Sequence, residues 1–339
     1  MKKQLLTLCF SIIGLLASGA FQEGPYVMTV SGKIAPDALG RTLAHEHIAT
    51  NFNGTETGNH PLAGQEQALA QLLPWLKDLW GRGYNSLVEC TPAHIGRNVG
   101  LLRELAEKSG MQILTNTGFY AAVDKKYLPE AAYTHSAEEL AALWEQEWTH
   151  GIGDTGIRPG FIKLGVGDGP LDPVERKIVK AGMLLSGRTG LTVYVHTGGD
   201  QSIISQRQLA LELGFKPDKL VWVHAQNGTD STRIAMARQG MWVSLDGVSE
   251  ERLDAYAGMI RNMKEAGLLH RLLLSHDDGW SVERDDPDLE LELFANGNKR
   301  PYWSVEELLL PKLRNLGFRE AELDQLLVQN PRKALSITP

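Results

Sequence analysis

The strongest constraint on this chain is a rhythm. Eight short runs rich in Val, Ile and Leu recur along it: "TLAHEH", "SLVECT", "QILTNTG", "GFIKLGV", "LTVYVHT", "LVWVHA", "MWVSLDG" and "LLLSHDD". Between them lie segments such as "QEQALAQLLPWLKDLWGRG", "GRNVGLLRELAEKSG" and "SAEELAALWEQEWTHG", whose apolar residues return every three or four positions, often with Gly after the last turn. Strand and helix in alternation predict a parallel sheet covered by helices. Eight such units close more naturally into a (β/α)8 barrel than they spread into an open doubly wound sheet. With 339 residues, 42% of them hydrophobic, the chain has enough apolar surface for that core.

Residues 1–20 stand apart from this rhythm and read as a cleavable signal peptide. Lys2 and Lys3 precede an apolar run from Leu5 to Leu16, and "ASGA" offers small residues before a cut after Ala20. The run is short for a membrane span, and Cys9 lies too early in it for a lipoprotein attachment site. Export to the periplasm or the medium is expected, leaving residues 21–339 as a single barrel domain. Cleavage removes two lysines and no acids, which moves the net charge from −7 to −9. An acidic surface suits neither nucleic acid nor anionic lipid. The expected partner is a small-molecule substrate, with no membrane contact after cleavage and a homodimer left open. Cys90 then has no partner for an internal disulfide, and reads as a small core residue.

Three strand-to-helix connections are long and irregular: "NFNGTETGNHPLAGQ", "FYAAVDKKYLPEAAYTH" and "GWSVERDDPDLELELFANGNKRPYW". Long loops in a compact fold usually bind or cover something. The last is expected to be a lid or pocket wall.

In such barrels the active site forms where strands run into the loops that follow them. The polar residues at those ends are His45 and His47 after the first strand, Lys163 in the fourth, His196 in the fifth, His224 in the sixth and Asp277 in the eighth. In an extended segment His45 and His47 share a face. A lone histidine closing an apolar strand is usually a hydrogen-bonded core residue. Four of the chain's ten histidines converging on one rim are better explained by a metal. Imidazole and carboxylate suit Zn²⁺, with Mn²⁺, Co²⁺ or Fe²⁺ as alternatives. Lys163 is the odd member, because an ammonium would repel cations. Either it points away, or it is carbamylated by carbon dioxide and becomes an anionic ligand. Spacing alone favours the first.

The ordered set resembles the phosphotriesterase-like family of the amidohydrolase superfamily over nearly all of the chain beyond the signal segment. "TLAHEH" resembles that family's His-x-His strand, "HIGRNVGLL" its second loop and helix, and "GFIKLGV" the strand bearing its carbamylated lysine. "VYVHTGG" and "VWVHAQ" are similar to its later histidine strands, "LLSHDDGW" to its metal-binding aspartate strand, and "LVQNPRKAL" to its closing helix. The resemblance implies two divalent metal ions. His45, His47 and Asp277 would hold one, His196 and His224 the other, and Lys163 as N6-carboxylysine would bridge them. Asp277 would then be the catalytic proton acceptor, and Glu46, turned outward by strand alternation, would orient the site.

The chain also departs from the family. Efficient phosphotriesterases resemble one another in a Leu-Asp-His segment whose histidine relays a proton; here "SLDGV" puts Gly247 in that place. Asp230 follows Thr229, where the family usually has an aspartate before its Thr. "NTGFY" is closer to the lactonase-like members, which implies that Tyr120 contacts a lactone or ester, although "AAVD" follows where those members often carry aromatics. His276 and Asp278 are expected beside the site rather than in it, with His276 as an alternative proton relay. His94, in the loop after the second strand, is expected in solvent, with entry into the pocket as the alternative. The expected function is metal-dependent hydrolysis of lactones or carboxylic esters, then of phosphotriesters, then of amides. The alternative from another class is a metal-binding protein without turnover.

Overall fold

The computed structural model describes residues 24–338, so the segment read as a signal peptide lies outside them. All eight expected strands form. They are β1 (Thr42–Glu46), β2 (Ser86–Glu89), β3 (Gln112–Leu114, continuing as Asn116–Thr117), β4 (Phe161–Gly165), β5 (Val193–His196), β6 (Leu220–Val223), β7 (Trp242–Leu245) and β8 (Leu272–Leu274). Neighbours pair in parallel and in chain order, with β3 broken between its two halves. Beyond the end of β8 the chain turns onto β1, where the Asp277 N–H donates to the His45 carbonyl (3.2 Å) and the His47 N–H to the Asp278 carbonyl (2.8 Å). The sheet closes there, and the fold is a (β/α)8 barrel.

The covering helices are α1 (Gln65–Gly81), α2 (Val99–Ser109), α3 (Ala137–His150), α4 (Pro173–Thr189), α5 (Asp200–Glu212), α6 (Asp230–Arg238), α7 (Leu253–Glu265) and α8 (Leu310–Asn315). Their ends follow local chemistry. A capping box from Ser136 and Glu139 starts α3, and one from Asp172 and Glu175, with Pro173 next, starts α4. Strand alternation then separates two cores. Phe161, Tyr194, Val221 and Leu273 fill the barrel interior, while Ile162, Leu164, Val195 and Leu220 face the helices. Lys163 shares the inward face with Phe161, one layer closer to the mouth.

One expectation changes, and another gains detail. The connection after β8 is not irregular: Gly279–Arg284 and Glu290–Phe294 pair as an antiparallel ribbon. Its Trp280 and Val282 are buried, and Trp280 packs on Trp75 of α1 at 6.0 Å between ring centroids. The alternation in "LELELF" carries that strand signal. Glu46 turns away from the cavity as expected, but toward the seam of the barrel rather than toward solvent. It is fully buried, and its Oε1 accepts from Ser275 Oγ (2.6 Å), the His276 N–H (3.0 Å) and His276 Nδ1 (2.7 Å), while Oε2 accepts from the Asp278 N–H (2.9 Å).

That carboxylate is the fastener between the first and last strands. Glu46→Ala leaves four buried donors without an acceptor, so urea denaturation should show a loss of about 3–5 kcal/mol or failure to fold. Glu46→Gln, which keeps the shape and one acceptor, should lose less.

Candidate metal centre

One cavity of about 260 Å³ opens at the ends of the strands, and all six rim residues expected as ligands line it: His45, His47, Lys163, His196, His224 and Asp277. Tyr120 lines it as well. The local backbone explains how. A shift of register between Leu43 and Glu46 lets Ala44 fill the barrel interior while His45 and His47 both reach the cavity. His224 and Asp277 have φ of 60° each, a left-handed kink just past β6 and β8. Such backbone is costly for non-glycine residues and concentrates at functional sites.

The side chains crowd together. His45 Nε2 lies 3.2 Å and His47 Nε2 3.1 Å from Asp277 Oδ1. The ring of His224 stands 5.1 Å from that of His45 and 4.4 Å from that of His196. Ligand atoms of His45, His224 and Asp277 fall within 4.8 Å of one another. Both ring nitrogens of His45 are fully buried and face only carboxylate oxygens, Nε2 that of Asp277 at 3.2 Å and Nδ1 that of Asp246 at 3.4 Å, without making a well-formed hydrogen bond to either. A buried imidazole left so is expensive unless a cation takes its lone pair. The donor set therefore fits a divalent metal.

Electrostatics agree. Burial, with His224 and Lys163 close by, holds His196 well below the usual imidazole range, so its ring is neutral and its lone pair free. Burial raises the Asp277 carboxyl, but His45 and His224 outweigh that and hold it well below the carboxylate range. Burial, with the Asp277 carboxylate and Tyr127 adding to it, pushes the Tyr120 phenol up, so it stays protonated.

Lys163 is 2% exposed and lines the cavity, which removes the reading in which it points away. Its Nζ lies 5.7 Å from the centroid of the Tyr120 ring. That ring stands 5.0 Å from His196 and lies against Gly165, where a Cβ would meet Tyr120 Cδ2 at 2.3 Å. Only glycine at the end of β4 admits the tyrosine.

Sequence reasoning missed Asp246, a fully buried carboxylate just past β7. Its Oδ1 lies 2.7 Å from His224 Nδ1 and its Oδ2 3.4 Å from His45 Nδ1, so one carboxylate stands behind two rings. The rule that found the other rim residues applies to it equally. Thr91 was also missed; its Oγ1 lies 2.8 Å from His47 Nδ1, leaving Nε2 to face the cavity. Cys90 is buried as expected but also forms part of the cavity wall, so a thiol does border the site.

Other expectations resolve against the site. His276 Nε2 accepts the Val305 N–H at 3.0 Å, and its Nδ1 faces Glu46, so neither nitrogen is free to relay a proton. Asp278 instead holds the chain beyond the ribbon, accepting from Asn298 Nδ2 (3.1 Å) and the Tyr302 N–H (3.0 Å). His94, expected in solvent, is half-buried outside the cavity wall with Nδ1 3.1 Å from the Thr55 carbonyl. At Gly247 a Cβ would stand 2.6 Å from Tyr256 Oη and 3.0 Å from Gln226 Nε2, so those side chains fill the space a relay histidine would need.

The model of the phosphotriesterase family matches residues 25–335. The chain belongs to the phosphotriesterase family. It is 27% identical to the phosphotriesterase homology protein of Escherichia coli over 87% of this chain and 97% of that one. It is 26% identical to human N-acetyltaurine hydrolase, over 91% and 97%. Among solved structures, a weak promiscuous lactonase template engineered for organophosphate hydrolysis superposes with a TM-score of 0.77 at 27% identity, covering 91% of this chain and 99% of that chain. An organophosphorus hydrolase variant from Deinococcus radiodurans gives 0.77 and 27%, over 93% and 99%. The family's chemistry is hydrolysis, and this chain is a hydrolase.

Asp246→Asn keeps the shape behind His224 and His45 but removes the charge. It should weaken metal binding by about 10–100-fold in a chelator competition, with little change in thermal unfolding of the metal-free protein.

Proposed function

We propose that this phosphotriesterase-family protein is an exported, binuclear metal-dependent hydrolase of uncharged esters, with lactones and carboxylic esters foremost. The carrying observation is the cavity wall. Apart from Lys163 it contains no ammonium or guanidinium among the described residues, and Phe52, Ile95, Tyr127 and Phe294 line it. Away from the metal-holding residues, a sulfonate or carboxylate carried on the part of the substrate that does not react would meet no counter-charge on this wall. The wall therefore favours the lactonase among the relatives over the N-acetyltaurine hydrolases, whose named substrate carries a sulfonate.

His45, His47 and Asp277 would hold one cation, His196 and His224 the second, and Lys163 as its carbamate would lie between them. When bound, divalent cations supply Lewis acidity, lowering the pKa of water and polarising the carbonyl or phosphoryl oxygen. Asp277 accepts the proton that water gives up. With His276 engaged elsewhere and no side chain at Gly247, no histidine takes that proton onward. The Asp277 side chain is 25% exposed at the mouth, so it hands the proton directly to the leaving oxygen or to solvent. Tyr120, kept protonated, donates to an oxygen of the substrate. Phosphotriesters, also uncharged, are the second class; the missing relay histidine ranks them below esters.

The test joins elemental analysis to a substrate panel. Two divalent ions per chain are expected, falling in Lys163→Ala, and chelation should abolish hydrolysis that Zn²⁺, Mn²⁺ or Co²⁺ restores. The specificity constant kcat/KM should be at least tenfold higher for a lactone or ester than for a phosphotriester or an N-acyl sulfonate. Metal-loaded protein that hydrolyses none of them would mark a binding protein instead.

A further inference from the structure

The loop after β3 contains a stretch of backbone that the proposed chemistry does not use. Val123, Asp124 and Lys125 are consecutive non-glycine residues with φ of 56°, 53° and 62°. L-residues avoid this region because Cβ crowds the following carbonyl, and a β-branched valine is the least suited of the three. The turn is held from both sides. Lys125 Nζ pairs with Asp172, the capping residue of α4, at 2.5 Å. On the other side Lys126 Nζ (2.7 Å) and Tyr127 Oη (2.9 Å) both donate to the carbonyl of Phe52 in the loop after β1.

What this bracing achieves is visible at the mouth. Val123 is 57% exposed and Phe52 46% exposed, yet both line the metal cavity. Phe52 in turn packs on Phe294 at the end of the ribbon, 5.3 Å between ring centroids. Two large apolar side chains thus stand in solvent at the entrance, Phe52 held through its own carbonyl and Val123 through the Lys125 side chain two residues on.

We propose that Val123 is a specificity-determining residue, held in left-handed backbone so that its side chain, with Phe52, grips the apolar part of the substrate that does not react. This rests on the ester reading of the site, and it identifies which part of the substrate the loops select: an uncharged aliphatic or aromatic group of limited length. A relaxed turn would not need two anchors, and a purely structural turn would carry Gly or Asn at such φ.

Two variants separate strain from contact. Val123→Asn suits left-handed backbone and should raise Tm by about 2–4 °C. Val123→Gly removes the side chain from the mouth. Across p-nitrophenyl esters from acetate to octanoate, the ratio of kcat/KM for the longest to the shortest should shift by about tenfold from that of the parent protein. Phe52→Ala should shift it in the same direction. Binding of acetate to octanoate, measured by calorimetry on metal-loaded protein, gives the same chain-length readout without turnover. If the parent hydrolyses no ester, the ester reading fails while the calorimetric series still judges Val123. A Tm that is unchanged or lower in Val123→Asn overturns the strain. A chain-length dependence that Val123→Gly leaves within twofold, in both assays, overturns the specificity role.

Discussion

A barrel has to close, and here closure depends on a carboxylate. The Glu46 side chain leaves the end of β1 and gathers a hydroxyl, two backbone N–H groups and an imidazole from residues 275–278. Those four residues hold the left-handed kink that turns Asp277 toward His45 and His47. One buried anion therefore fixes the seam of the fold and the position of the carboxylate on which the proposed chemistry turns. The ligands at the two edges of the sheet are in register because the edges are fastened at their own level.

The same economy appears one strand earlier. Asp246 stands behind His224 and His45, and Thr91 behind His47. The rings of His224 and His47 are each oriented by an oxygen hydrogen-bonded on the Nδ1 side, which leaves Nε2 for the cavity. Around this polar floor the walls are apolar and braced. Phe294 comes from a ribbon, Phe52 from a loop bound to Lys126 and Tyr127, and Val123 from a strained turn anchored at α4. On the proposed reading the floor would hold the metals, and the walls are where this chain would choose its substrate.

Much of this was legible in the order of residues. Strand periodicity and helix spacing are local properties, and eight repeats of them leave few closed arrangements. The rim rule followed, so His45, His47, His196, His224 and Asp277 could be grouped from the order of residues, whereas Lys163 joined them only through the resemblance to the phosphotriesterase-like family. What was out of reach depends on partners far apart along the chain. Glu46 meets Ser275 across 229 positions, and nothing near Glu46 announces it. His276 sits beside Asp277 in "SHDD" and still faces away, because Val305 supplies the N–H that occupies its ring.

The linear order settled the barrel and the polar residues that end its strands, since both follow from period within a few residues, while the resemblance to the phosphotriesterase-like family marked Gly247 as the place without a relay side chain. Only the packed structure decided the orientation of Lys163, the ring-holding work of Asp246 and Thr91, and the apolar character of the cavity walls. Those are sums over side chains from many loops meeting in space, and a sum of that kind exists only once the sheet has closed.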